Sequence, residues 1–334
     1  MRKKCLGLLS GGLDSRLAIK LMKEQDIEVI ALYFSLPFGS GCCMPDCAFN
    51  FAQSQGIKLE IIDCTKGKLF QEFINIVRKP MHGYGVSMNP CIDCRIFMLK
   101  KAKQLMPKYK AQFIVTGEVL NERPMSQTKS RLEQIEKETG LKGKILRPLS
   151  AKLLPETLVE KKGLVNRNNL LDIQGRERKI QMALAKKYKI SYPNPGGGCL
   201  LCEKEFVVKL RDLFRHKKVI EPQDILLLRL GRHFRFNDKK IIVGRNEQEN
   251  SKLIALADDN LLFEVPDIGS PTTLLEKTDD IKTIKIAAGL TAAYSDAKNK
   301  KNIVVNYSKR KLNKSLKISP LSQKEIENLR IKKW

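Results

Sequence analysis

The chain contains 334 residues, a length that indicates two domains or three, each able to form a core without disulfide support. Its 62 Lys and Arg outnumber its 36 Asp and Glu, which gives a formal net charge of +26. Such an excess is typical of a protein that binds a polyanion, most often nucleic acid and less often an anionic membrane surface.

Composition also argues against a disordered chain and against a membrane-spanning chain. Hydrophobic residues make up 42% of the sequence, more than a disordered chain contains. No run of about 18 or more apolar residues occurs, so we expect no transmembrane helix and no membrane partner. The apolar stretch within residues 1–10 is too short for a signal peptide, so we expect a cytoplasmic protein.

The first third of the chain alternates apolar runs typical of strands with segments of helical periodicity. Strands are predicted at 4–9, 28–34, 58–63 and 112–117, and helices at 15–24, 47–55 and 96–105. This alternation predicts an α/β fold with a doubly wound parallel sheet. Ligands of such sheets bind at the carboxyl ends of the strands.

The rest of the chain is less regular and divides into a middle segment and a second domain. Residues 118–175 are polar and interrupted by prolines, helical periodicity returns over 175–188, and the Pro- and Gly-rich stretch 193–198 excludes regular structure. We therefore predict domains at 1–205 and 220–334. The second is a smaller α+β domain, with strands at 232–236, 240–243 and 261–265 and helices at 246–257 and 283–295.

Positive charge is spread over both predicted domains. Residues 1–202 carry 34 basic and 18 acidic side chains, a net +16, and residues 203–334 carry 28 and 18, a net +10. The densest basic run covers 298–317, and its alternating Ile303, Val305 and Tyr307 favour a strand over a flexible tail. A polyanion could therefore contact both halves.

The strongest local motif is Ser10-Gly11-Gly12-Leu13-Asp14-Ser15, between the first predicted strand and helix. Glycines let backbone N–H groups approach phosphate oxygens, the two serines add hydroxyl donors, and the helix N-terminus adds a favourable dipole. Asp14 repels an anion, so it requires Mg²⁺ or a hydrogen bond that fixes the loop. The alternative interpretation is a glycine turn with a capping Asp. No Gly-Lys-Ser/Thr follows, so the motif is not a Walker A loop.

Two C-x-x-C pairs, Cys91–Cys94 and Cys199–Cys202, form the second signal among nine cysteines. An odd number argues against a disulfide framework, and cytoplasmic thiols are reduced, so spacing carries the information. Both thiolates of such a pair can converge on one metal, cluster or reactive sulfur. A structural Zn²⁺ held by four cysteines and buried, unreactive thiols remain alternatives.

The motif at residues 10–15 resembles the PP-loop of the ATP pyrophosphatase superfamily, whose fold is adenine nucleotide α-hydrolase-like. Its members include tRNA thiolases, lysidine synthetase and GMP synthetase, and typically split ATP into AMP and pyrophosphate by adenylating a substrate oxygen. The resemblance implies ATP and Mg²⁺ as cofactors. The implied nucleotide-binding residues are Ser10, Gly11, Gly12, Asp14, Ser15, Tyr33, Phe34, Thr116 and Gly117.

The runs TGEVLNERPMSQ, GRERKIQMALAKKY and YPNPGGGCLL are similar to the catalytic domain of 4-thiouridine synthetases. A PP-loop with C-x-x-C and a distant third Cys also resembles iron–sulfur tRNA thiolases, in which three cysteines hold a [4Fe–4S] cluster with one open iron. The resemblance implies Cys91, Cys94 and Cys199 as ligands, and Asp14, Cys91 and Cys199 as catalytic residues. Cys202 departs from that pattern, because a fourth ligand leaves no iron open. The alternative is a persulfide on Cys199 with Cys91 or Cys94.

In the second half, LGRHFRFNDKKIIVGRNEQEN resembles the NFACT-R module, an RNA-associated domain. Arg232-His233-Phe234 and Gly244-Arg245-Asn246 carry this likeness. The combined resemblances imply an enzyme for ATP-dependent tRNA uridine thiolation, with 4-thiouridine favoured over 2-thiouridine. The implied partners are tRNA and a sulfur donor (sulfide or a persulfide carrier), with a homodimer as one option for assembly.

Two rival functions stay open at this point. One is another PP-loop enzyme with a Zn²⁺ site, acting on a small molecule or a purine precursor. The other is a non-catalytic RNA-binding factor, which the intact SGGLDS motif disfavours. Cys42, Cys43 and Cys47 follow the second predicted strand and either assist sulfur delivery or pack in the core, and His82 has no assigned role.

Overall fold

The structure is a computed structural model that describes residues 3–39, 45–193, 198–309 and 312–332. The chain divides into two compact units, Met1–Glu203 and Lys204–Trp334. Residues 204–216, within the interval where we placed the domain boundary, form a helix that belongs to the second unit. No helix within the described ranges is long and apolar enough to cross a lipid bilayer.

The first unit alternates strands and helices as the sequence predicts. Its elements are β1 (Lys4–Leu8), α1 (Leu13–Lys23), β2 (Glu28–Ser35), α2 (Pro45–Ser54), β3 (Lys58–Asp63), α3 (Gly67–Arg78), α4 (Cys91–Tyr109), β4 (Phe113–Val115), α5 (Lys129–Thr139), β5 (Ile145–Leu146), α6 (Leu158–Lys161) and α7 (Lys179–Lys187).

These strands form one parallel sheet in the order β3-β2-β1-β4-β5, so the predicted doubly wound α/β fold is confirmed. Both sheet faces are covered, because successive strand residues enter different cores. Cys5 and Val29 face one core with α1, whereas Leu6 and Ile30 face another with α4 and α5. The loops that leave β1 and β4 therefore emerge at the same carboxyl edge.

Several features of the first unit differ from the sequence-based expectation, among them helix α3, for which no helix was predicted. The polar segment 118–175 contains α5 and β5, whose short apolar faces are filled by Leu132, Ile135 and Ile145. Helix α4 begins at Cys91 and not at residue 96, so the first C-x-x-C pair occupies its first turn. Helix α7 begins at Lys179, later than predicted. Within the Pro- and Gly-rich stretch, residues 194–197 lie outside the described residues.

The second unit is an antiparallel sheet with helices, as the α+β prediction requires. Its elements are α8 (Lys204–His216), α9 (Pro222–Leu228), β6 (Arg232–Phe236), β7 (Lys239–Val243), α10 (Glu247–Ala255), β8 (Leu261–Glu264), β9 (Thr273–Leu275), α11 (Ile281–Ala293), β10 (Ile303–Ser308), β11 (Lys314–Ile318) and α12 (Gln323–Leu329).

The strand order of the second unit is β11-β10-β8-β9-β7-β6. Helix α11 packs on one face, where Ile284 and Ala288 meet Phe234 and Phe263, and Leu253 of α10 covers the other face. The basic run 298–317 contains β10 and β11, which pair antiparallel. The strand predicted within that run is thereby confirmed.

Candidate nucleotide and cysteine site

The loop between β1 and α1 is closed by its own serine hydroxyls. The Ser15 hydroxyl donates to the Gly12 carbonyl (2.8 Å), and its Oγ accepts from the Ser10 N–H (3.3 Å). Gly11 has φ +83°, a left-handed conformation that a residue with a Cβ rarely adopts. Gly12 caps α1 without a side-chain hydrogen bond, so N–H groups of the first turn point to the carboxyl edge of the sheet. This geometry suits a bound phosphate.

A buried arginine that sequence reasoning missed anchors this loop. The Arg16 guanidinium donates to three carbonyls, those of Gly11 (2.8 Å), Cys47 (3.1 Å) and Ser191 (2.6 Å), and the residue is only 5% exposed. It also lies over the Phe51 ring. The loop, α2 and the segment before the second cysteine pair are therefore held together by one side chain.

The end of β4 packs directly on the loop. A Cβ built on Gly117 would lie 2.5 Å from the Ser15 nitrogen and 2.6 Å from the Asp14 carbonyl carbon, so only glycine allows this approach. Thr116, just before it, is buried and donates its hydroxyl to Glu118 (2.9 Å). The structure thus brings the predicted residues Thr116 and Gly117 to residues 10–15.

Asp14 lies in a partly closed polar environment. Its Oδ1 is buried and has no hydrogen-bond partner among the described residues. Burial and the nearby Glu122 carboxylate raise the pKa of Asp14 to about 6, against the opposing influence of Arg178 and Gln181. The Arg178 guanidinium in turn pairs with Glu122 at 2.7 Å. Glu122 and residues 178–181, which lie outside the 10–15 motif, therefore form part of the surroundings of the nucleotide loop.

The predicted adenine contacts stay predictions. Tyr33 is buried in the apolar core on one face of β2, and Phe34 is half-buried against the core on the other face. Both residues belong to the strand that neighbours β1, near its carboxyl end.

An ion-pair network joins β4 to the first cysteine helix. The Glu118 carboxylate contacts Arg95 (3.1 Å) and Arg147 (3.0 Å) and is 1% exposed. Burial alone would raise the pKa of Glu118, but the two guanidinium groups hold it below its ordinary value. Because Arg95 follows Cys94 directly, Glu118 fixes the first turn of α4 against the strand that carries Gly117.

The first pair, Cys91 and Cys94, lies on that first turn. The Asn89 amide donates to the Cys91 Sγ at 3.2 Å, and burial raises the pKa of the Cys94 thiol to about 12. Between them, Asp93 accepts from the backbone N–H groups of Met81 and His82 (both 3.1 Å). The His82 ring bridges Asp93 and Glu138, which gives it a structural role that the sequence did not indicate.

Two backbone contacts bring the second pair to the same region. Cys199 forms an antiparallel bridge with Gly39, just past β2, and the Met88 N–H donates to the Leu201 carbonyl (3.1 Å). Met88 and Gly39 flank the first pair and the end of β2, so the two cysteine pairs lie at the same edge of the sheet. The fold therefore unites Cys91, Cys94, Cys199 and Cys202 in one unit, although about a hundred residues separate the pairs.

Cys199 and Cys202 interact with each other. A hydrogen bond between their thiols, followed by burial, raises the pKa of Cys199. The same hydrogen bond, aided by Arg123, lowers the pKa of the exposed Cys202. Of the two, Cys202 is the thiolate that a reactant can reach. The cysteine that departs from the iron–sulfur pattern is therefore the more nucleophilic and the more accessible member of the pair.

The remaining cysteines contribute less. Cys5 and Cys64 are buried, and Cys47 offers its carbonyl to Arg16. Cys42 and Cys43, considered for sulfur delivery, lie outside the described residues. Among the residues that the structure does describe, no three of His, Cys, Asp or Glu form a group that could hold a metal ion.

In the second unit, the residues that carry the NFACT-R likeness stabilise the fold. The Arg232 guanidinium lies 4.7 Å from the centre of the Tyr294 ring, and the buried His233 donates its Nε2–H to the Leu230 carbonyl (2.7 Å). Asn246 caps α10 by accepting from the Glu249 N–H (3.0 Å).

Comparisons with known proteins divide the chain in the same way. Residues 1–152 match the family model described as "Thiamine biosynthesis protein (ThiI)", and residues 231–330 match "NFACT protein RNA binding domain". Both resemblances inferred from the sequence are thereby confirmed.

The curated relatives cover a limited part of the chain. It is 32% identical over 136 residues to the tRNA-specific 2-thiouridylase MnmA of Petrotoga mobilis, which is 35% of this chain and 36% of that protein. The enzyme of the same name from Sulfurimonas denitrificans is 35% identical over 124 residues, 35% of each chain. This chain thus spans about a third of the length of these relatives.

Solved structures include one of a 4-thiouridine synthetase in complex with RNA and bound ATP. That chain is 22% identical to this one, with a TM-score of 0.36, over 50% of this chain and 42% of its own.

Proposed function

We propose that this chain is an ATP-dependent tRNA uridine thiolase. The observation that carries the proposal is that the residues after β4 join the PP-loop to the first cysteine pair, through Gly117 on one side and Glu118–Arg95 on the other, while backbone contacts bring the second pair to the same region. A nucleotide-activating loop beside accessible thiols suits a reaction in which an oxygen is first activated and then replaced by sulfur. The ThiI family model and the relatives named as thiouridylases support the same class.

The first step is adenylation of the base. A uridine carbonyl oxygen attacks the α-phosphorus of ATP, the bond from that phosphorus to the bridging oxygen breaks, and pyrophosphate leaves. Ser10, Ser15 and the first-turn N–H groups of α1 stabilise the charge on the phosphates. Asp14 and its neighbour Glu122 offer the carboxylate oxygens that Mg²⁺ prefers, so they would hold the metal that accompanies ATP. A bound Mg²⁺ would neutralise phosphate charge.

The second step replaces oxygen by sulfur. A persulfide donor passes its terminal sulfur to the exposed Cys202, which becomes a persulfide while the donor leaves as a thiol. The terminal sulfur attacks the activated ring carbon, the carbon–oxygen bond breaks, and AMP leaves. The Cys199 sulfur then attacks the Cys202 sulfur while its proton passes to the departing base, which releases the thiocarbonyl base and leaves a Cys199–Cys202 disulfide. An external dithiol returns the pair to the reduced state.

The site also bears on the iron–sulfur alternative. Three of the four thiols in this region, those of Cys91, Cys94 and Cys199, would match the ligands of such a cluster and would leave one iron open for a bound sulfide. The described thiols are not arranged as a ligand set, so we derive no step through a cluster. Cys91, Cys94 and Cys199 remain its proposed ligands, with Zn²⁺ as the other candidate metal. Iron, zinc and sulfide analysis of anaerobically purified protein tests this choice.

The substrate is tRNA, and we favour carbon 4 of a uridine over carbon 2. The ThiI model and the likeness of residues 116–127 to 4-thiouridine synthetases support carbon 4, whereas the relatives named as 2-thiouridylases support carbon 2. The target base must leave its stack to reach the loop and the thiols. The net charges of +16 and +10 on the two halves and the RNA-binding domain model suit contact with tRNA phosphates, with strong salt dependence.

One experiment tests the function directly. Purified protein is incubated with unmodified tRNA, Mg²⁺·ATP and a persulfide donor, and nucleosides are analysed by mass spectrometry. We expect AMP and pyrophosphate in equal amounts and 4-thiouridine in the tRNA, both abolished in Asp14→Ala. A 2-thiouridine product would correct the ring position. Turnover of ATP by a small molecule in the absence of tRNA would favour the rival PP-loop enzyme, and no ATP turnover would favour an RNA-binding factor.

A further inference from the structure

Gln181 on α7 is buried in a way that an ordinary core residue is not. The residue is 0% exposed, and neither its Nε2 nor its Oε1 has a hydrogen-bond partner among the described residues. Burying an amide without partners destabilises a fold, and an apolar side chain of the same shape would avoid that loss. A buried amide in this state therefore calls for a role outside packing.

The surroundings of Gln181 indicate that role. Helix α7 packs against α1, and the Gln181 amide lies near the Asp14 carboxyl without completing a hydrogen bond to it. The Asp14 Oδ1 is itself buried without a partner in the described part of the chain. Two unpaired polar groups thus meet at the nucleotide loop, one from the motif and one from a helix about 165 residues later.

The start of α7 is fixed independently of this contact. Arg178 precedes the helix and donates to Glu122 through both Nε (3.2 Å) and Nη2 (2.7 Å). Glu122 belongs to the segment that follows Gly117, which packs on the loop. The position of Gln181 relative to Asp14 is therefore set by an ion pair and by helix packing, and not by the amide itself.

We propose that Gln181 is a positioning residue for adenylation: its Nε2 donates to the Asp14 carboxylate when Mg²⁺·ATP occupies the loop. This inference rests on the proposed function and adds to it a residue outside the PP-loop. The hydrogen bond holds the carboxylate in one rotamer, so that it meets the metal and the phosphates without rearrangement. Burying this donor without a partner lowers the stability of the free protein, and the hydrogen bond that forms when Mg²⁺·ATP is bound raises its activity.

The test compares Gln181→Met with Gln25→Met in the full chain. Methionine is unbranched and close in shape to glutamine, so both variants keep their core volume. Gln25 lies just beyond the opposite end of α1, where its Oε1 accepts from the Asn166 N–H (2.7 Å), far along the helix from Asp14. Melting temperature and the kcat and KM for Mg²⁺·ATP in tRNA-dependent pyrophosphate release are measured for each.

We expect Gln181→Met to keep or raise the melting temperature and to lower kcat roughly 10- to 100-fold, the loss expected for one hydrogen bond to a charged group. KM for ATP should change less than about threefold, because the phosphates still contact the loop. Gln25→Met removes one satisfied hydrogen bond, at Oε1, together with a buried Nε2 that has no partner among the described residues, so the melting temperature should change little and kcat should stay unchanged. As a second variant, Gln181→Glu places another carboxylate beside Asp14 and should lose activity at least as severely.

A folded Gln181→Met protein with kcat within twofold of the wild type overturns the inference. So does a kcat that falls only in proportion to the unfolded fraction, because packing alone then explains the loss. Wild-type pyrophosphate release without a thiolated nucleoside would refute the proposed function but not the role of Gln181 in adenylation. The two failures are therefore distinguishable.

Discussion

Replacing Gly117 by alanine tests whether the end of β4 sets the position of the nucleotide loop. The added Cβ would lie 2.5 Å from the Ser15 nitrogen and 2.7 Å from the Asp14 carbonyl oxygen. Ordinary contact begins near 3.4 Å, so loop and strand must separate by about 0.9 Å. All three of the nearest atoms belong to the backbone, so no side-chain rotation relieves the overlap.

A displacement near 1 Å of a positioning group costs about 10²-fold in rate, and overpacking costs typically 1–3 kcal/mol in stability. We therefore expect Gly117→Ala to lower kcat for pyrophosphate release about 100-fold and to lower the melting temperature by a few degrees. The matched control is Gly56→Ala, where no atom lies within 4 Å but φ is +59°. That variant should lose about 1 kcal/mol of stability from its backbone conformation and keep full kcat. A Gly117→Ala enzyme within threefold of wild-type kcat would refute the proposed contact between β4 and the loop.

Three further predictions follow from the site. The pKa of Asp14 is about 6 in the folded protein and 3.8 in the unfolded chain, so the wild type loses folding free energy as pH rises from 4 to 7 and the carboxyl ionises. An amide in its place does not titrate, so without Mg²⁺ and ATP we expect Asp14→Asn to gain about 2 kcal/mol of stability relative to the wild type over that range. A difference in melting temperature that does not change with pH would contradict this. Cys202→Ser and Cys199→Ser should abolish thiolation while keeping tRNA-dependent pyrophosphate release, and loss of both products, measured in the same assay, would show that the thiols serve the fold. Arg16→Lys should destabilise the protein by roughly 2–4 kcal/mol, because an ammonium cannot serve three separated carbonyls, and urea denaturation that differs by less than 1 kcal/mol would refute its anchoring role.

The parallel sheet was predictable because its signals are local. β1, β2 and β4 are short apolar runs buried on both faces, and the partly exposed edge strand β3 still contains an apolar run. Each strand is separated from the next along the chain by a helical segment or a turn. The same holds for residues 10–15, whose glycines and serines build the loop through contacts five residues apart or fewer. Local sequence therefore specifies both the sheet and the phosphate loop.

Arg16, Gln181 and Glu118 could not be recognised in this way. Each acts through partners that are distant in the sequence: Arg16 reaches residue 191, Gln181 faces residue 14, and Glu118 pairs with Arg147. As single residues they look like ordinary members of polar helices and loops. Helix α5 was missed for the same reason, because its sequence is mostly polar. Its few apolar residues are recognisable as a buried face only once they are seen packed against α4.

The positions of these missed residues have a common consequence for the mechanism. Just after β4, Gly117 packs against the loop that would hold ATP and Glu118 pairs with Arg95, one residue from Cys94. Two adjacent residues thus fix the distance between the nucleotide and the first cysteine pair. A two-step reaction needs that distance to stay constant, because the adenylated base must meet sulfur before water reaches it. The rigid end of a buried strand, held by a backbone contact and a buried ion pair, provides it more reliably than a flexible loop would.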